Sequence, residues 1–401
     1  MKIALAAEGE WELGSLPDLE QDDSTGRVLI ERIIGGSYPT PGFAWHALKN
    51  SGPSVRIRRE DHGEDYTAGL MYDLAVSEGC DGLVLLRDAD GSDDRRELNL
   101  RGLADAATRS LRPIPAVLGL EIRTLEAWLL ADAGAFATVM RQRRPTLPKA
   151  PEELWGKVRD QTSNHPKVVL ARIVHDLGGT CDRYLAARLA EHADLDVLAR
   201  ECPIGFGAFK RDVERAFRPF DCVVAADQAN AIGHGGDLPW PKLKHDLRFL
   251  REKTSAARPG QRNAVVMGRK TWDSVPAKFR PLPGRVNVVV TRDPAALIAR
   301  GDADGEGVLA VRSLDEALTR TSLRADIDGL FVIGGAELFR QAFVHPRCRD
   351  LYLTRIEHTF EGDTFIPDPA ADFDVAEVLE RHHDAGFDYR MERWRRQTRA
   401  P

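Results

Sequence analysis

One carboxylate in the second half of the chain is placed for acid–base work. Asp246 lies in Lys242 to Thr254 (KLKHDLRFLREKT), a stretch of helical period with Leu243, Leu247 and Leu250 on one face. It stands at the edge of that apolar stripe, where partial loss of water raises a carboxyl pKa and suits the group to a protonatable heterocycle. The competing reading is a solvated helix aspartate. Two turns nearby could hold anions. Ala264 to Met267 (AVVM) reads as a strand ending in Gly268-Arg269-Lys270-Thr271 before a helix, Trp272 to Val275. Backbone N–H groups and two cations at such a turn favour phosphate. Leu330 to Ile333 (LFVI) ends in Gly334-Gly335 before a helix, Ala336 to Phe343. Glycines there let a phosphate approach the backbone, or simply make a tight turn. The pattern is not G-x-G-x-x-G, so an ordinary dinucleotide fold is poorly supported.

A second constellation is acidic and lies in the first half. Glu8, Glu10 and Glu12 follow an apolar strand, Lys2 to Ala7, and Asp88 and Asp90 follow another, Gly82 to Leu86. In an open parallel sheet both sets reach the carboxyl ends of strands, where ligands bind. Hard cations such as Mg²⁺ want several carboxylate oxygens, so Glu8, Asp88 and Asp90 are candidate metal ligands. An acidic solvated turn is the alternative. A calcium-binding helix–loop–helix reading of Asp88 to Asn99 fails, because Asp93 replaces the turn glycine and Asn99 the final glutamate.

The elements that must carry these residues divide in two. Short apolar runs, including Ile114 to Leu120, alternate with helical patterns such as Leu98 to Leu111, which suggests βαβ units and a mainly parallel sheet. Ser15 to Pro53 is rich in Gly, Pro and Ser and reads as loops with one short helix. Arg141 to Pro151 is basic and Pro-rich, a loop or linker, and could touch a phosphate backbone or be a plain charged face. Glu152 to Phe217 has helical period. A new strand, Phe220 to Ala226, then places a boundary near residue 218. The expected domains are 1–217 and 218–401, both α/β, the first with a helical part over about 152–217.

Composition bounds what the whole can be. A chain of 401 residues with 43% hydrophobic and 29% charged residues is globular and too long for one average domain. No apolar run approaches a membrane span and none near Met1 reads as a leader. The net charge of −6 gives no bulk attraction to nucleic acid. Five scattered cysteines with no C-x-x-C pair argue against a disulfide framework or structural zinc. A reduced, cytoplasmic protein is expected.

From Phe220 to about Arg396 the chain resembles the dihydrofolate reductase family. The carriers, in family order, are Val224-Ala225-Ala226 with Ile232-Gly233, Leu238-Pro239-Trp240, Asp246, Met267-Gly268-Arg269-Lys270-Thr271-Trp272 and Arg280-Pro281-Leu282-Pro283-Gly284-Arg285. Val290-Thr291-Arg292, Val332-Ile333-Gly334-Gly335, Tyr352-Leu353-Thr354 and Glu361-Gly362-Asp363-Thr364 complete the set. The resemblance implies NADPH-dependent reduction of dihydrofolate to tetrahydrofolate. By it, Asp246 binds the pteridine and promotes its protonation, Thr354 buttresses Asp246, and Trp240 lies over the site. Ala225 offers a backbone carbonyl, Leu247, Leu250, Val275 and Ile333 wall the pocket, and Arg285 pairs with the substrate's glutamate carboxylate. NADPH contacts are implied at Ala226, Ile232, Gly268, Arg269, Lys270, Thr271, Thr291, Arg292, Gly334 and Gly335. Leu250 replaces a usual phenylalanine and Phe339 a common tyrosine. Short insertions fall at Ser255 to Asn263 and around Gly301 to Gly307. The related riboflavin-pathway reductases share the Gly-Gly turn, but the Leu-Pro-Trp and Asp246 pairing argues against them.

The first half resembles the Toprim fold, especially small proteins related to overcoming-lysogenization-defect nucleases. The carriers are Ala7-Glu8-Gly9 with Glu12, Arg87-Asp88-Ala89-Asp90, Glu121-Ile122 and Leu125 to Asp132 (LEAWLLAD). The resemblance implies Glu8 as general acid–base and metal ligand, Asp88 and Asp90 as Mg²⁺ ligands, Glu126 as a further ligand, and a nucleic-acid substrate. Two other readings make this half an inactive binding or assembly module, or make the reductase a folate or nucleotide sensor for a defence nuclease.

Overall fold

The computed structural model describes residues 1–7, 10–13, 24–35, 43–49, 53–88, 94–121, 124–301, 307–322 and 324–397. It resolves into two compact units, Met1–Phe217 and Arg218–Pro401.

In the first unit, strands β1 (Lys2–Ala7), β2 (Ala44–Lys49), β3 (Gly82–Asp88) and β4 (Ala116–Glu121) form a wholly parallel sheet in the order β2-β1-β3-β4. The alternation of side chains along β1 serves two cores. Ile3, Leu5 and Ala7 face helix Thr25–Gly35 and the helices that follow β4. Ala4 and Ala6 face Met71, Tyr72 and Ala75 of helix Pro53–Ser77 and Leu103 and Ala106 of helix Asp94–Arg109. Those two helices approach so closely that a Cβ on Gly102 would stand 1.9 Å from the Asp65 carbonyl oxygen, so only glycine fits there. The expectation of loops with one short helix over Ser15 to Pro53 needs correction. This segment contains helix Thr25–Gly35 and also the edge strand β2. Ala44–Lys49 (AWHALK) is poor in β-branched residues, which hid it.

Beyond β4 the chain is helical: Ala133–Met140, Pro166–Asp176, Arg183–His192, Leu195–Glu201 and Phe206–Ala216. Asp132, Asp182 and Asp194 cap three of these by accepting from Gly134, Leu185, and Asp196 with Val197. Trp128, fully buried, packs on Phe206 and Phe209 with ring centroids 5.4 Å away.

The second unit holds an eight-stranded mixed sheet and a small two-stranded one. Its strands are β5 (Phe220–Ala226), β6 (Ala231–Gly233), β7 (Arg262–Gly268), β8 (Arg285–Val290), β9 (Val308–Val311), β10 (Ile327–Gly334), β11 (Cys348–Ile356), β12 (Thr364–Phe365), β13 (Phe373–Asp384) and β14 (Phe387–Arg396). The main order is β13-β14-β11-β5-β10-β7-β8-β9, with β6 and β12 paired apart. Within the main sheet β14 runs antiparallel to both its neighbours and the other pairs are parallel, while β6 and β12 pair antiparallel. Cys222, Val266, Val288 and Val332 face helices Leu314–Ser322 and Ala336–Val344. Val223, Val265, Met267, Val289 and Phe331 share the other face with Tyr352 and Trp272, against which Phe249 and Leu250 of helix Lys244–Ser255 pack. Because β10 lies between β5 and β7, the turns leaving all three strands emerge at one edge. Among the described residues no helix is long and apolar enough to cross a membrane.

Candidate active site

Asp246 sits in the first turn of helix Lys244–Ser255 and is half-buried. Burial pushes its carboxyl above the ordinary aspartate range, and a hydrogen bond with the Thr354 side chain partly opposes the shift. Thr354 is buried on β11, in register with Ala225 of β5 on one side and Met391 of β14 on the other. The helix turn and the central strands thus fix the carboxylate between them. Around this helix, apolar side chains remain uncovered. Leu247 is 47% exposed, whereas Leu243 of the same stripe is buried and precedes the helix as its cap. Leu250, Val275, Ile333 and Ala225 are half-buried, and Leu250 and Ile333 pack on the same core cluster. Trp240 is buried with its ring 5.9 Å from Phe360. One acid with uncovered apolar neighbours is the composition of a ligand cleft.

At the far end of the same helix, Arg285 is 7% exposed. It donates from Nη1 to Thr254 Oγ1 at 2.7 Å and from Nε to the Pro283 carbonyl at 3.2 Å. Among the described residues no carboxylate pairs with it. Burial, then the neighbouring Arg251, lower its pKa, so a ligand anion would meet an uncompensated guanidinium. Sequence reasoning missed Thr254. It lies eight residues after Asp246 on one helix, and that spacing was the available signal.

The two glycine turns come together at the sheet's carboxyl edge. Gly334 of β10 is in register with Met267 of β7, and the Gly334–Gly335 peptide bond is cis. Gly334 has φ of 135°, a conformation open to glycine alone. A Cβ on Gly334 or Gly335 would stand 3.3 or 3.1 Å from Thr271 Oγ1, so the cradle is tight. Gly335 caps helix Ala336–Val344 without a side-chain acceptor, which leaves backbone N–H groups for an anion. Arg269 is exposed and bound to Asp273 at 2.7 Å, a carboxylate also met by Arg280 and Arg300 at 3.8 and 3.0 Å. Lys270 and Arg292 are exposed cations, Thr291 and Ala226 are buried, and Thr271, Ile232 and Gly268 are half-buried. Cations outnumber acids around a glycine cradle, and this donor set fits a phosphorylated cofactor.

A dihydrofolate reductase family model matches residues 219–396. Dihydrofolate reductase of Sus scrofa is 40% identical over 155 residues, which take in 38% of this chain and 80% of that protein. The chain belongs to the dihydrofolate reductase family. The Aedes albopictus dihydrofolate reductase is 35% identical over 185 residues, 43% of this chain and 96% of the relative. A bifunctional dihydrofolate reductase-thymidylate synthase of Glycine max is 44% identical over 154 residues, yet only 28% of its length is spanned. The second unit is thus an oxidoreductase of the dihydrofolate reductase family, and the matched residues lie within it.

The acidic constellation of the first unit is less complete. Glu8 and Asp90 lie outside the described residues. Asp88 ends β3 in register with Glu121 of β4, and its side chain too lies outside the described residues. Glu12 is buried. Glu126 is 2% exposed, with Oε1 3.9 Å from Lys167 Nζ and Oε2 without a hydrogen-bond partner among the described residues. Among the described residues, no three metal-ligating side chains come together.

Proposed function

We propose that the second unit reduces 7,8-dihydrofolate to tetrahydrofolate with NADPH. The observation that carries this is the half-buried Asp246, held by Thr354 beside uncovered apolar side chains, in a chain of this family. NADPH, when bound, supplies the hydride. In this reading Gly268, Arg269, Lys270, Thr271, Thr291, Arg292, Gly334 and Gly335 hold its phosphates, and Ala226 and Ile232 flank it. Asp246 hydrogen-bonds the pteridine and favours its protonated form. Ala225 offers its carbonyl to the pteridine, and Leu247, Leu250, Val275 and Ile333 orient it. Trp240 helps to exclude water. Arg285 takes the substrate's carboxylate. Loss of NADPH absorbance on adding dihydrofolate tests the reading, and no turnover by folded protein at any pH would overturn it.

For the first unit the proposed reading is Mg²⁺-dependent phosphodiester cleavage by a Toprim-like site of Glu8, Asp88 and Asp90. Its support is a wholly parallel sheet whose strands β1 and β3 are followed in the sequence by acids, and the Oε2 of buried Glu126, which has no hydrogen-bond partner among the described residues. Calorimetric Mg²⁺ binding lost in Asp88→Ala, together with cleavage of DNA or RNA, is the expected result. Absence of both would leave a binding or assembly module.

A further inference from the structure

The helix that carries Asp246 is gripped at its first turn by the outermost hairpin of the sheet. His245 stacks on His382 of β13, ring centroids 4.1 Å apart and planes within 7°. His382 Nε2 lies 2.7 Å from Glu380 Oε2, and its ring is 5.7 Å from Tyr389, its register partner on β14. Tyr389 is buried, and its phenol is pushed up by burial first, then by Asp384 and Asp246. Two more ties close the grip: the Lys244 N–H donates to Asp384 Oδ2 at 2.9 Å, and Arg248 Nη2 stands 3.6 Å from Glu380. Most of β13 is otherwise exposed to solvent. The hairpin's end therefore meets the substrate helix at the residue next to the proposed catalytic acid.

We propose that His382 is a positioning residue for Asp246, acting through the stacked ring of His245, and that the closed clasp holds no more than one proton on the two rings. Imidazole is the side chain that ordinarily changes charge between pH 5 and 8. Two imidazolium rings at stacking distance repel, so the second proton must part them. Parting them displaces His245, and with it the adjacent Asp246, from Thr354. Among the described residues, the charged and titratable groups around the pair are Lys244, Asp246 and Arg248 on its own helix, Glu380 and Asp384 on β13, and the neutral phenol of Tyr389 on β14. His383 takes no part, being bound to Asp388 at 2.8 Å. This inference rests on the reductase reading of Asp246.

The test is the pH profile of kcat/KM for the full-length wild type and for His382→Phe and His245→Phe, in which a ring remains but cannot titrate. Wild-type activity should fall on the acid side. Relative to its own activity at neutral pH, each variant should retain at least about fivefold more activity on the acid limb than wild type does. Nitrogen NMR of wild-type His245 and His382 should show that the two rings do not take up protons together. Superimposable acid limbs, or both rings titrating together, would overturn the proposal. Turnover at neutral pH keeps the two claims apart: near-wild-type turnover in Asp246→Asn would sink the role of Asp246, whereas an acid limb that persists in His382→Phe would sink the clasp.

Discussion

A carboxyl that is half-buried and answered by one threonine hydroxyl keeps its proton to higher pH than a solvated one, as Asp246 does. The consequence for stability has a definite sign. Its folded pKa is raised above the unfolded value, so the favourable term is full below the unfolded pKa and is lost as pH rises through the folded one. Asp246→Asn removes that penalty and should raise the melting temperature at neutral pH. The same change should lower turnover by about 10²- to 10⁴-fold, the usual worth of an acid–base group, with NADPH still bound. Stopped-flow turnover and a fluorescence titration of NADPH check the two halves of this prediction. Arg285 meets a hydroxyl and a carbonyl but, among the described residues, no carboxylate. Arg285→Lys should raise KM for dihydrofolate by about 10- to 100-fold, since hydrogen bonds to charged groups contribute ~1.5–3 kcal/mol. It should leave a pterin substrate without the carboxylate nearly unaffected, and an equal effect on both substrates would refute the pairing.

Elements that carry a site by their own local chemistry were legible in the sequence, and those fixed by tertiary packing were not. Helix Lys244–Ser255 announces itself by period, and the turns after β7 and β10 by glycine and charge. His382 carries no local signal, because it matters only for what the fold sets opposite it, and Thr254 offered only its spacing from Asp246 along one helix. Strand β2 was hidden by its composition. Glu152 belongs to the same hidden class, since its partners lie more than fifty residues away. Its buried carboxylate accepts from the N–H groups of Ile204, Gly205 and Phe206 at 3.1, 2.7 and 3.2 Å, opening helix Phe206–Ala216. Glu152→Ala leaves those donors unanswered and should cost the first unit about 1–3 kcal/mol. Thermal unfolding would register the loss, with reductase turnover unchanged at temperatures where the variant stays folded.

At the scale of the whole chain, the core clusters divide as the units do. Among the described residues, those built on β1 to β4 and their helices draw on residues up to Phe217, and those of the reductase on residues from Phe220 onward. Separate cores imply separate cooperative transitions, since each unit can lose its packing without opening the other's. Calorimetry should therefore resolve two transitions. A ligand that binds one folded unit stabilises that unit alone, by about 2.7 kcal/mol at a concentration 100-fold above Kd. NADPH should raise one transition by roughly 5–10 °C, given about 2–4 °C per kcal/mol for a unit of this size, and leave the other in place. Glu152→Ala should lower the transition that NADPH does not move. A single transition shifted by both the cofactor and this variant would mean that the units fold as one, and that a ligand on either half is felt by the other.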